Sequence, residues 1–202
     1  MRVLAAGSLR RVWKSLVSEY QADNIQCDFG PAGILRERIE VGEACDFFAS
    51  ANMTHPQILM SAGRALCIKP FARNRLCLYV RANKFNENDD WYSLLNRETL
   101  RIGTSTAGCD PSGDYTQELF ENMGSVGEKI RQRAVALVGG RNSLPLPGNA
   151  IAAQWLIEND YTDLFIGYAN YAPSLQSIDS VKVIEIPEPY NPIAIYGFAC
   201  LT

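Results

Sequence analysis

The sequence predicts an α/β protein of alternating strands and helices with mainly parallel sheets. Three observations predict it. Short apolar runs of strand length recur along the chain, segments with helical periodicity separate several of them, and four strand-or-loop-to-helix junctions are rich in small residues.

In order, residues 2–6 are a short, mostly apolar run that reads as a strand. Leu9, Val12, Trp13, Leu16, Val17 and Tyr20 then recur at the spacing of one helix face, with Ser8 at the expected N-cap. The second junction follows the run 25–29. Gly30-Pro31-Ala32-Gly33 leads into Ile34, Leu35 and Ile39, with Pro31 suited to the first helical position and Gly42 as the stop. The third follows residues 100–103, where Asp110-Pro111-Ser112-Gly113 opens a helix through Tyr115, Leu119 and Phe120, stopped near Gly124. The fourth is Pro147-Gly148-Asn149-Ala150, opening a helix with Ile151, Trp155 and Leu156. Further strands are expected at 46–49, 76–80, 134–138, 164–168, 181–186 and 193–200, and a short helix near 91–95. The polar stretch 81–90 and the region around Pro173 mark two candidate crossovers between lobes, and ligand sites lie naturally between such lobes.

Each junction admits two readings. A helix N-terminus carries unpaired N–H groups and the positive end of the dipole, and small residues allow close approach, so it can hold an anion. Alternatively, each junction only caps its own helix, as most do.

Composition narrows the function classes. The 202 residues suffice for one or two domains, and 47% hydrophobic with 20% charged residues describes an ordinary globular protein. A net charge of −3 argues against a nucleic-acid partner held by phosphate neutralisation. No apolar run reaches membrane-spanning length, so no membrane insertion is expected. The first strand begins at Met1, which leaves an intracellular protein or an exported one whose signal has been removed.

The six cysteines form no C-x-x-C pair, and buried free thiols are the expectation, with disulfides as the alternative. Cys109 adjoins the third junction. A nucleophile there would need His55, the single histidine, as its base, and no G-x-S-x-G accompanies either. One histidine also excludes a histidine-rich metal site. Neither G-x-x-x-x-G-K-[ST] nor G-x-G-x-x-G is present, and Gly139-Gly140-Arg141-Asn142 reads as a loop or an anion nest.

Several segments carry a resemblance in order: Ala5-Ala6-Gly7-Ser8-Leu9, then Gly30 through Gly42, then Cys45-Asp46-Phe47-Phe48-Ala49-Ser50-Ala51-Asn52. Phe71-Ala72-Arg73-Asn74-Arg75-Leu76, Pro111-Ser112-Gly113-Asp114-Tyr115 and Ile166-Gly167-Tyr168-Ala169 follow. Over nearly its whole length the chain resembles the molybdate-binding proteins of ABC importers, within the type II periplasmic binding proteins.

The resemblance implies the two-lobed periplasmic binding protein type II fold, with the ligand cleft between the lobes. Lobe 1 would comprise 1–80 plus 174–202 and lobe 2 would comprise 81–173, joined by two crossovers. It also implies a binding protein, not an enzyme, that takes no cofactor and holds molybdate or tungstate without direct protein–metal ligands. The implied partners are ABC permease subunits, the implied state is a monomer, and the implied location is periplasmic or at the cell surface. The alternatives are an intracellular oxyanion sensor on the same fold, hence cytoplasmic, or a small enzyme using Cys109 or His55.

Carried across, the oxyanion-binding residues would be Ser8, Ala32, Ser112, Ala150 and Tyr168. Molybdate and tungstate carry no proton near neutral pH. A site made only of donors satisfies them and rejects a protonated phosphate, whose O–H would find no acceptor. Helix N-termini supply positive potential without burying a full cation. The family usually has serine at the position of Ala32, and Pro31 removes an N–H nearby. The missing donor to a charged oxygen is worth about 1.5–3 kcal/mol. Ser112 stands where the family often has a small apolar residue, and restores a hydroxyl. Asp110 lies beside that junction, where an inward-pointing carboxylate would repel a dianion.

Overall fold

The computed structural model describes residues 1–19 and 24–201; Tyr20, expected on the first helix face, lies outside them. The strands are β1 (Arg2–Ala6), β2 (Gln26–Gly30), β3 (Phe47–Ser50), β4 (Ala65–Asn74), β5 (Leu76–Arg81), β6 (Ile102–Ser105), β7 (Ala134–Val138), β8 (Leu164–Tyr168), β9 (Val181–Glu185) and β10 (Ala194–Leu201). The α-helices are α1 (Arg10–Glu19), α2 (Ala32–Glu40), α3 (Thr54–Ser61), α4 (Trp91–Asn96), α5 (Pro111–Asn122), α6 (Ser125–Arg133), α7 (Ala152–Glu158) and α8 (Ala172–Leu175). The chain divides into two compact units, and neither is continuous in sequence. The first comprises Met1–Arg73, Cys109–Pro111 and Ala194–Thr202; the second comprises Asn74–Gly108 and Ser112–Ile193.

The first unit is built on a five-stranded sheet in the order β2-β1-β3-β10-β4. β1 is central because four of its five residues are buried on both faces, as in a strand covered by helices. It pairs in parallel with β2 (Val3 opposite Cys27, Ala6 opposite Gly30) and with β3 (Leu4 opposite Phe48). β10 runs antiparallel to β3, with Ala199 opposite Phe48. Val3, Ala5 and Ala49 form one core cluster, covered by Leu9, Trp13, Ile25, Cys27, Phe29 and Phe47. Trp13 of α1 meets Phe29 edge-on at 5.8 Å, and the Arg10 guanidinium stands 5.0 Å over the same ring. Apart from that contact α1 is shallow: it buries no residue fully, and Val12 and Leu16 remain about half exposed.

The second unit has the order β7-β6-β8-β5-β9. β6 pairs in parallel with β7 and β8, whereas β5 is antiparallel to β8 and β9. Tyr79, Phe165, Leu156, Ile157 and Leu175 centre its core. Asn191 anchors the start of β5: its amide oxygen accepts from the Leu76 N–H (3.0 Å) and its amide nitrogen donates to the Leu76 carbonyl (2.8 Å). One buried side chain thus supplies a ladder rung that no strand provides.

The structure corrects several expectations. Both sheets are mixed, because β5 and β10 enter antiparallel. β4 was not expected. It is an edge strand carrying Lys69, Pro70 and Arg73, residues that blunt an exposed edge and erase its alternation. α3 and α6 were also not expected. Ser8 is not an N-cap but the middle of a 3-10 turn, Gly7–Leu9, entered from Ala6. Pro31 stands at the N-cap of α2, one place before the position expected. α7 begins at Ala152 rather than within 147–150. Gly42 does end α2, at φ +100°, a conformation glycine adopts without strain. All six cysteines are free thiols, but only Cys77 is buried; the other five are half-buried.

Charge in the second unit concentrates at one network. Arg101 donates to both Asp163 carboxylate oxygens at 2.9 Å and to Asp160 at 2.6 Å, and Arg81 reaches Asp160 at 2.9 Å. Asp163 is 4% exposed. Hydrogen bonding from Arg101 outweighs desolvation and holds its carboxyl at about 2, against an ordinary 3.8. A depressed carboxyl stabilises the fold above the unfolded value and loses that contribution as pH falls through the folded one, so the window is about pH 4 to 2. The contribution near neutrality is about 2 kcal/mol. Urea unfolding at steps from pH 6 to pH 2 should show stability falling in that window, and Asp163→Asn should flatten the fall.

Candidate functional site

Parallel pairing places each candidate residue within its own unit. In the first, β1 and β2 end level, with Ala6 opposite Gly30, so the segments leaving them start from the same edge. Ser8 lies two residues past β1 in the 3-10 turn, and Ala32 lies two past β2 at the start of α2. In the second unit β6 is parallel to both β7 and β8. Ser112 follows β6 after a loop, Ala150 follows β7 after a longer one, and Tyr168 is the last residue of β8. Ser8, Ala32 and Tyr168 therefore sit at the carboxyl ends of parallel strands of their own sheets, the edge at which open α/β sheets take ligands, while Ser112 and Ala150 follow such ends after loops.

Ser8 is 7% exposed, and its Oγ accepts a 2.8 Å hydrogen bond from the Tyr196 hydroxyl of β10. A hydroxyl that accepts from Tyr196 turns its own proton away from that ring. Ala32 is fully buried. The next residue, Gly33, donates its N–H to the Cys109 carbonyl at 2.8 Å, so one N-terminal donor of α2 is engaged by the main chain.

In the second unit the exit of β6 is tied down closely. The N–H and Oγ1 of Thr106 both donate to the Val138 carbonyl, at 2.9 and 2.8 Å. Asp114, in the first turn of α5, accepts from the Gly108 N–H at 2.6 Å. Gly113 brings α5 against this loop: a Cβ there would stand 2.5 Å from the Ala107 nitrogen and the Thr106 carbonyl carbon. Ser112, 4% exposed, offers its carbonyl to the Thr116 hydroxyl at 2.8 Å. The Ala150 N–H donates to Pro147 at 2.9 Å, closing a turn ahead of α7. Tyr168 is 5% exposed, and its carbonyl accepts from the Tyr79 hydroxyl at 2.6 Å. Burial pushes the Tyr79 phenol well above its usual range, so it stays a neutral donor.

The other sequence candidates fall elsewhere. His55 is buried in α3, where its N–H bonds to the Asn52 side chain, itself bonded to Ser50. Cys109 is half-buried and belongs to the first unit. The glycine-rich loop at 139–142 closes on itself through a 2.7 Å bond from the Gly140 N–H to Ser143 Oγ. Among the described residues no group of three or more His, Cys, Asp or Glu could hold a metal, and no helix is long and apolar enough to cross a membrane. Sequence reasoning missed Tyr196, which reads as one apolar residue in the run 193–200.

A family model described as bacterial extracellular solute-binding protein matches residues 1–202. The uncharacterized protein PM1146 of Pasteurella multocida (strain Pm70) is 43% identical over 211 residues, covering all of this chain and 87% of that protein. The periplasmic molybdate-binding protein of Azotobacter vinelandii aligns at a TM-score of 0.76 with 19% identity, over 100% of this chain and 85% of that one. The sulfate-binding protein SubI of Mycobacterium tuberculosis H37Rv aligns at 0.75 with 15% identity, over 100% and 75%. At these identities the two structures speak for the fold.

Two substitutions probe this geometry. Gly113→Ala should cost about 1–3 kcal/mol, read as a lower thermal midpoint, because the new methyl meets main chain that cannot step aside. Tyr196→Phe removes the donor to Ser8. Thermal unfolding of that variant should show a loss of about 0.5–1.5 kcal/mol, the equivalent of one neutral hydrogen bond.

Proposed function

This chain belongs to the bacterial extracellular solute-binding protein family, and on that premise we propose that it binds a tetrahedral oxyanion of the molybdate or tungstate type. The proposed donors are Ser8 and Ala32 of the first unit and Ser112, Ala150 and Tyr168 of the second. What supports the reading is that Ser8, Ala32 and Tyr168 lie at the carboxyl ends of parallel strands in their own sheets, with Ser112 and Ala150 on the segments that follow two more such ends. Ser8 adds to it, as a buried hydroxyl oriented by Tyr196. Four of them offer a hydroxyl or a main-chain N–H and none carries charge, while the Ala150 N–H is already given to the Pro147 carbonyl. Such a set suits a fully deprotonated dianion and disfavours a protonated one, whose O–H needs an acceptor.

The proposal extends to physiology. The anion is carried from a periplasmic or cell-surface location to the permease of an ABC importer, by a monomer that performs no chemistry on it. The proposed lobes follow the two units, so that 74–80 and 174–193, expected in the first lobe, go with the second.

Isothermal titration with molybdate, tungstate, sulfate and phosphate in parallel tests the anion. Molybdate and tungstate should bind one to one at micromolar affinity or tighter, with sulfate and phosphate silent. Ser8→Ala should weaken molybdate by about 10- to 150-fold, the loss of one hydrogen bond to a charged oxygen. Sulfate binding as tightly as molybdate would overturn the assigned preference, and silence toward all four would overturn the oxyanion reading itself.

A further inference from the structure

The first unit carries a pair of thiols that anion binding does not use. Cys67 lies on the edge strand β4 and Cys200 on β10, its neighbour in the sheet. The Phe71 ring of β4 stands 6.1 Å from Tyr196 and 6.2 Å from Phe198 on β10, so these three side chains share one face. Side chains alternate along a strand, which puts Cys67, Lys69 and Phe71 together on that face of β4 and Tyr196, Phe198 and Cys200 together on β10. Cys67 is four residues before Phe71, and Cys200 is four after Tyr196. Equal steps in opposite directions keep residues opposed in an antiparallel ladder, so pairing of Phe71 with Tyr196 would set Cys67 opposite Cys200. The Cys67 side chain lies near enough to act on the Cys200 thiol.

Directly opposed residues in such a ladder have Cα atoms about 4.5–5.5 Å apart. That is within the span a disulfide bridges, about 4.4–6.8 Å. Both thiols are half-buried and so reachable. Donation of its S–H toward Cys67, then burial, push the Cys200 thiol up, while the exposed Lys69 ammonium on the same face opposes them, so Cys200 is the thiol slower to attack first. The remaining thiols are poorer candidates. Burial holds Cys77 and Cys27 at about 12. Cys45 donates to the Phe47 carbonyl, and β1 lies between β2, which bears Cys27, and β3, which Cys45 precedes.

We propose that Cys67 and Cys200 form a disulfide by exchange with a disulfide oxidant, stapling the strand by which the chain leaves the first unit to the strand by which it returns. The Cys67 thiolate attacks one sulfur of the oxidant, breaking its S–S bond. The first thiolate so released takes up the proton Cys67 has lost. The Cys200 thiolate then attacks the Cys67 sulfur of the mixed disulfide and expels the second thiolate, which takes up the proton from Cys200. Two electrons pass from the protein, and one disulfide becomes two thiols. The loop closed between residues 67 and 200 contains the whole of the second unit, so the bond constrains a long stretch of unfolded chain. This inference does not depend on the identity of the anion.

The test uses the full chain with oxidised glutathione as oxidant, intact mass, and peptide mapping without reductant. The expected product is lighter by two hydrogens, with the Cys67 peptide joined to the Cys200 peptide. Its thermal midpoint should rise by about 5–10 °C and fall back on reduction. Cys200→Ser should instead retain glutathione on Cys67, and the double variant Cys67→Ala/Cys200→Ala should show no oxidant-dependent rise. The proposal is overturned if the wild-type chain keeps all six thiols, holds glutathione at either position without a link, or joins Cys27 to Cys45 instead.

Discussion

Parallel pairing in the two sheets is the constraint on which the rest of the molecule depends. Strands that run side by side in one direction finish at a common edge, and the chain must leave that edge through a loop or helix start before it can return. β1 and β2 finish level, and β6 shares its direction with β7 and β8. The residues proposed as anion donors are therefore gathered by the hydrogen-bond ladders themselves. Their local setting is then fixed by contacts that tolerate little change: Gly113 against the main chain of the β6 exit, Tyr196 against Ser8, and Tyr79 against the Tyr168 carbonyl.

The charged groups follow the complementary logic. Arg101 and Asp163 immediately precede β6 and β8, and Arg81 ends the antiparallel β5, so their network lies at the amino ends of the parallel strands. In the first unit Arg2 opens β1, and its main-chain N–H donates to Asp46, just before β3. The Arg2 side chain joins Arg38, Asp28 and Glu43 in a second network. Each sheet thus carries a network of paired charges at the amino ends of its parallel strands. A dianion met by hydroxyls and amides gains hydrogen bonds without a buried cation whose desolvation would have to be offset.

Much of this was legible in the sequence, for physical reasons. Buried strands such as β1, β5 and β8 are continuous apolar runs, and the small-residue junctions at Ser8, Ala32 and Ser112 mark where such strands give way to helices. What escaped notice lacks a local signal. β4 is an exposed edge whose charges and Pro70 hide its period. α3 contains His55 and Pro56, a polar-looking pair that the fold buries. The start of α7 is displaced because the Pro147–Ala150 turn closes before the helix begins. Tyr196 is separated from Ser8 by 188 residues, so no window of sequence links them. Tyr168 came to attention only through the resemblance, because alone it is one more aromatic in a buried strand.

The position of β10 has a consequence for the order of folding. It lies between β3 and β4, yet it is the last strand of the described chain. Until it is available, β4 has no neighbour in its sheet and β3 has only one. The second unit closes within residues 74–193, so during synthesis it can complete its sheet while the first still presents two unfilled strand edges. Those edges are open templates for the wrong chain. They make the interval before residue 194 emerges the time of greatest exposure to aggregation.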